Sequence, residues 1–200
     1  MTGAQLGEAF DRALVRASEL HHGHTRKGTA IPYVGHLLGV AALVLEDGGD
    51  EDEAIAALLH DAVEDRGGQP TLDLIRHEFG RHVAETVAGC SDTTEVPKPP
   101  WRERKTAYIA HLDEASPSVV RVSLADKLHN ARAINRDLRV LGEELWERFD
   151  PDSDQLWYYR SLAVAFHRLS KSPMVAELVE AVAEMETLAI MSAPQRDDIP

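Results

Sequence analysis

The stretch ALLHDAVED, residues 57–65, places four ionisable side chains, His60, Asp61, Glu64 and Asp65, at the end of an apolar run from Ala54 to Leu59. His60 and Glu64 are four apart, as are Asp61 and Asp65, so on a helix each pair stacks along one face. His60 and Asp61 are neighbours, about 100° apart around the helix axis. Both can reach one ion beside the helix end, and the carboxylates one turn on can hold water against it. A solvated last turn would account for any one of these residues but accounts poorly for all of them. Three acidic groups near a helix C-terminus oppose the macrodipole unless a cation offsets them.

A metal needs further ligands, and two other segments offer them. His36 lies in IPYVGHLLGVAALV and Asp126 in VVRVSLADKLHNAR, each inside an otherwise apolar helical pattern. An isolated Asp in such a place is costly to bury. Two imidazoles and two carboxylates suit a borderline divalent ion such as manganese, iron or zinc. Asn130, one turn after Asp126, can bond a substrate or orient a ligand. Lys127 and His129 point elsewhere on that helix and read as structural or rim residues. Arg26 and Lys27 precede the helix of His36 and suit phosphate contacts. Lys98, Arg102, Arg104 and Lys105 form a local basic patch, and Trp101, Tyr158 and Tyr159 could stack a base or simply fill the core. His21, His22 and His24 imitate a second metal site, but their spacing carries no carboxylate support.

The elements that must carry these residues are helices throughout. Helical spacing of Leu6, Phe10, Leu14, Ala17 and Leu20 predicts a helix over 5–22. Pro32 opens a second to Glu46. Asp50 with Glu53 forms a capping box for a third, running to about Asp65. Thr71 caps a short helix to Phe79, ended by Gly80, and another covers 81–91. SDTTEVPKPP is a loop. Helices follow over 101–114, 118–136, 154–171 and 173–191, broken by FDPDSD, with a frayed tail SAPQRDDIP. No segment shows sustained β alternation, so the expected fold is all-α: one domain over 1–200, core about 5–191, of about nine or ten helices.

The 200 residues suffice for one domain with a sizeable core. A net charge of −13 argues against a nucleic-acid-binding protein, which would carry a basic face. An anionic substrate must therefore be met by a metal or a local basic cluster. The N-terminus has no apolar signal core and no stretch is apolar enough to span a bilayer. A cytoplasmic location with no membrane partner is expected. The single cysteine, Cys90, allows no internal disulfide and reads as a buried structural thiol.

RKGTAIPYVGH, LLHDAVED and LADKLHNAR, in this order and spacing, resemble the hydrolase domain of the RelA/SpoT proteins. The likeness is stronger still to the single-domain small alarmone hydrolases within the HD superfamily of metal-dependent phosphohydrolases. It covers roughly residues 10–165. It implies a manganese ion held by His36, His60, Asp61 and Asp126. It also implies that Glu64 and Asp65 handle the attacking water and its proton, and that Arg26, Lys27, Asn130 and Tyr158 contact the nucleotide. The implied reaction is hydrolysis of the 3′-pyrophosphate of (p)ppGpp to GDP or GTP. The alternatives are an HD phosphohydrolase acting on an adenine alarmone, NADPH or a nucleoside monophosphate, and a catalytically silent nucleotide-binding module. Three positions depart from the pattern: Leu37 for a frequent Pro, Arg66 for Thr, and Ser123 for Lys.

Overall fold

A computed structural model describes residues 4–93 and 97–192. The middle of the expected 91–100 loop and the tail after Ser192 lie outside the described residues. Within them the chain forms ten α-helices, one 3-10 helix and no strand. In order these are α1 (Glu8–Leu20), α2 (Val34–Glu46), α3 (Glu51–Leu59), α4 (Ala62–Asp65), α5 (Gln69–Phe79), α6 (Arg81–Cys90), α7 (Trp101–Leu112), α8 (Pro117–Leu141), α9 (Gln155–Leu169) and α10 (Pro173–Ser192). A 3-10 helix, Gly142–Arg148, joins α8 to the segment before α9.

Helix α8 is the spine. It packs against α10, α2, α6, α3, α9 and the 3-10 helix. Val122, Leu124, Ala125, Leu128 and Ala131 are fully buried along it. Its start is sharp because Ser116 caps it, accepting from the Val119 amide, with Pro117 in the first turn. Helix α2 is apolar on most sides because it lies between α3 and α8. Gly39 permits that approach, since a Cβ there would lie 2.3 Å from His129 Nε2.

The capping box of α3 forms as expected: the Glu53 amide donates to Asp50 Oδ1 at 2.9 Å and the Asp50 amide to Glu53 Oε2 at 3.0 Å. Buried Glu53 also receives Arg121 from α8. Here the box ties α3 to the spine as well as starting a helix.

Several boundaries differ from expectation. The third helix does not run unbroken to Asp65. It ends at Leu59, and His60 and Asp61 form a turn before the single turn of α4. Asp61 has φ −92° and ψ −5°, which swings the chain off the α3 axis. Pro32 lies outside α2, paired with Thr25 in an isolated bridge. Thr71 is not a cap: α5 begins at Gln69, and the Thr71 hydroxyl donates to the Arg66 carbonyl instead. Helix α8 continues past Arg136 to Leu141, where Gly142 at φ 57° ends it. The 3-10 helix has no strong sequence signal.

Cys90 is buried, as its composition context suggests, and accepts from Ser123 Oγ at 3.6 Å. Burial pushes its thiol up to about 11. Ser123, one of the departures, also accepts from the Tyr108 hydroxyl at 2.9 Å. Leu37, another, is fully buried in the core. No helix among the described residues is long and apolar enough to cross a membrane.

Candidate metal centre and active site

The turn at the end of α3 delivers His60 and Asp61 to a point that α2 and α8 also reach. His36, His60 and Asp126 offer ligand atoms that all lie within 4.8 Å of one another. Asp126 Oδ1 is 3.2 Å from His36 Nε2 and 3.5 Å from His60 Nε2. Asp61 Oδ2 is 3.0 Å from His60 Nε2 and 3.5 Å from His36 Nε2. The four residues that the sequence singled out from three separate segments therefore converge.

The residues fit a divalent cation. His36 Nε2 and His60 Nε2 are buried and have no hydrogen-bond partner. An unsatisfied buried polar atom costs about 1–3 kcal/mol, so two in one place mark a site built for a ligand. The His60 Nδ1–H donates to the Ala57 carbonyl at 2.7 Å. That holds the ring so that Nε2 faces the cluster, the usual orientation of a metal-binding imidazole. Burial opposes charge on Asp61 and Asp126, yet His60 beside the first and Lys127 beside the second, with both imidazoles, hold these carboxyls well below the usual range. Both are thus ionised and ready to bind a cation.

Residues around these four side chains orient them. Tyr33, at the entry to α2, donates from its hydroxyl to Asp61 Oδ2 at 2.5 Å. Asn130 Nδ2 donates to Asp126 Oδ1 at 2.5 Å, and Arg26 Nη2 donates to Asn130 Oδ1 at 2.8 Å. Lys127 Nζ donates to Asp126 Oδ2 at 2.6 Å. His129 Nδ1 lies 2.9 Å from His36 Nδ1. Sequence reasoning set Lys127 and His129 aside as structural or rim residues and passed over Tyr33. Their helical positions pointed away from Asp126, and only the approach of α2 shows that His129 meets His36. Gly39, opposite it, was the readable signal.

Glu64 and Asp65 diverge. Glu64 Oε1 accepts from the Asp92 amide at 2.7 Å, with Lys98 Nζ 3.9 Å from Oε2. Asp65 Oδ2 instead lies 3.9 Å from His24 Nδ1. Burial chiefly, then a nearby carboxylate (Asp92 for Glu64, Asp61 for Asp65), raises both carboxyls above their ordinary values.

A cavity of about 340 Å³ opens beside the centre. Arg26, Lys27, Tyr33, Lys105, Asn130 and Tyr158 line it, so all four residues implied to contact a nucleotide reach one space. The Tyr158 hydroxyl is buried without a partner. The basic patch is divided. Lys105 Nζ sits 5.0 Å from the Tyr158 ring centroid. Arg104 is tied to Asp92, a buried carboxylate that the sequence gave no reason to notice. Arg102 lies over the Trp157 ring. Tyr159 and Trp101 also line the cavity, and Trp101 packs edge-on against Tyr158.

Fold and centre define a helical metal-dependent hydrolase, and comparison with known proteins agrees. Residues 13–149 match the HD domain model, so the chain belongs to the HD domain family. Over 136 residues it is 38% identical to the human guanosine-3′,5′-bis(diphosphate) 3′-pyrophosphohydrolase MESH1, covering 66% of this chain and 71% of that one. Over 133 residues it is 34% identical to the Aquifex aeolicus guanosine-3′,5′-bis(diphosphate) 3′-pyrophosphohydrolase, covering 65% of this chain and 18% of that one. A solved structure of a metazoan ortholog of SpoT that hydrolyses ppGpp superposes with a TM-score of 0.74 at 25% identity, over 90% of this chain and 97% of that one.

Proposed function

We propose that the protein is a metal-dependent pyrophosphohydrolase of guanosine alarmones, cleaving the 3′-pyrophosphate of (p)ppGpp to leave GDP or GTP and pyrophosphate. One observation carries the reading. Two buried imidazole nitrogens without partners face two ionised carboxylates, at the edge of a cavity lined by Arg26, Lys27 and Lys105. The relatives named as 3′-pyrophosphohydrolases support this substrate over an adenine alarmone, NADPH or a mononucleotide.

His36, His60, Asp61 and Asp126 would hold the ion, manganese being our choice for a site of two imidazoles and two carboxylates. Bound there, a divalent cation supplies Lewis-acid polarisation of a phosphoryl oxygen and a water of lowered pKa. The chain's own groups do the rest. Arg26 and Lys27 bind phosphate oxygens and offset charge that develops as the bond breaks. Arg26 is braced by Asn130, which also grips Asp126, so phosphate position and ligand position are set by one chain of hydrogen bonds. Glu64 and Asp65, both raised, move the proton taken from the attacking water and returned to the leaving group. Tyr158 closes the cavity where the ribose and base would lie.

The deciding experiment is a substrate panel with Mn²⁺ over guanine alarmones, adenine alarmones, NADPH and mononucleotides. Pyrophosphate release fastest from ppGpp is expected. Turnover confined to another nucleotide would replace the substrate assignment, and no turnover of any would favour a silent binding module.

A further inference from the structure

A second cluster of ligand-type atoms lies beside the first. His21, His24 and Asp65 each offer an atom, all within 4.8 Å of one another. The chain builds the pair of imidazoles with one turn. The His24 amide donates to the His21 carbonyl at 2.9 Å, and Gly23 takes φ 71° at the third position of that turn. Such a turn brings its first and fourth side chains together. The outcome is His21 Nδ1 and His24 Nδ1 at 3.3 Å, while exposed His22 is directed away. Zn–N bonds of about 2.0–2.1 Å in tetrahedral geometry put two ligand nitrogens roughly 3.3–3.4 Å apart, so this separation is that of two ligands on one ion.

The environment is built rather than incidental. His21 is 3% exposed, so its Nδ1 meets His24 from inside the protein and not from a freely moving surface ring. Tyr33 stacks on both rings, at 5.0 Å from His21 and 4.5 Å from His24. The same Tyr33 donates to Asp61, so the two clusters share a wall. The carboxylate arrives from α4: Asp65 Oδ2 is 3.9 Å from His24 Nδ1.

We propose that His21, His24 and Asp65 form a second metal site, for a zinc-type ion, with an open position for water. Two imidazoles, one carboxylate and a water complete four-coordinate zinc, whereas the first centre has a carboxylate more. Asp65 cannot serve the second ion and carry a proton at once, so occupancy of this site competes with proton transfer at the first. The proposal rests on where Asp65 lies and not on which nucleotide is hydrolysed.

The test needs no substrate. Protein stripped by chelator is dialysed against Zn²⁺ and its metal content measured. Two zinc ions per chain are expected in the wild type, one in His24→Gln and one in Asp126→Ala. His24 is partly exposed, so His24→Gln leaves the core untouched. A wild type holding one ion, or a His24→Gln variant still holding two, overturns the proposal. In Asp126→Ala, which lacks the first site, Co²⁺ should give a visible four-coordinate spectrum that adding His24→Gln removes. No such spectrum in Asp126→Ala would also sink the second site, while leaving the hydrolase reading intact.

Discussion

The proposed roles divide single side chains between holding the ion and handling the proton, and substitutions should separate the two tasks. Asp61→Ala removes a carboxylate that is 3.0 Å from His60 and 3.5 Å from His36. Metal content and turnover are both expected to vanish. Glu64→Gln touches neither imidazole, so the ion should remain while kcat falls about 10²–10⁴-fold, the span for loss of a general acid or base. Loss of metal from Glu64→Gln would instead make Glu64 a ligand. The pH profile follows from sign. A carboxyl whose value is raised stays protonated to higher pH, so the base form needed for catalysis is lost earlier as pH falls. The acid-side decline of kcat/KM is therefore expected above 4.5 if Glu64 is the base and above 3.8 if Asp65 is, the ordinary values of the two side chains. The variant in which that decline disappears, Glu64→Gln or Asp65→Asn, identifies the base. A decline at or below 3.8, the ordinary aspartate value, would show that neither raised carboxyl is the base.

At the scale of elements, the close packing of α2 on α8 is what lets His129 buttress His36. A Cβ at Gly39 would sit 2.3 Å from His129 Nε2 and 2.4 Å from its Cδ2. Gly39→Ala must push that ring, and with it His36 Nδ1. The expected cost is about 1–3 kcal/mol of stability, typical of overpacking, together with weaker metal retention. Urea unfolding and metal titration check the two effects, and unchanged metal affinity would show that His129 does not position His36. Cys90, at the end of α6, tests burial at the same scale. Its thiol, raised to about 11 from an ordinary 9.0, is protonated in the folded chain where the unfolded chain has begun to ionise. The stability linked to it is complete below 9 and is lost as pH rises toward 11. Alkylation at pH 8 should proceed only as fast as the protein opens.

For the molecule as a whole, the centre gathers two ionised carboxylates into a buried place where two helices and a turn meet. A cation that binds the folded chain and not the unfolded one stabilises by mass action, about 2.7 kcal/mol at a hundredfold excess over Kd. Chelation should lower Tm and Mn²⁺ restore it, and a Tm indifferent to both would argue against a buried ion. Because α8 packs against most of the other helices, Leu128→Ala should cost about 2–5 kcal/mol.

What the sequence alone determined is local. Helical periodicity, the Asp50–Glu53 capping box and the Gly80 stop follow from nearest neighbours, and the all-α fold with them. His36, His60, Asp61 and Asp126 were legible because a ligand-type residue in an apolar helical pattern violates the local rule for cores. Some of the site was not legible, since it depends on contacts between segments far apart in the chain. The turn at His60–Asp61 depends on contacts from Tyr33 and the imidazoles. The grip of His129 on His36 joins positions 93 apart. The divergence of Glu64 toward Asp92 and of Asp65 toward His24 was hidden as well, because both carboxylates look alike on a helical wheel. Only the packed structure set Asp65 beside the two histidines that follow α1, more than forty positions away in sequence.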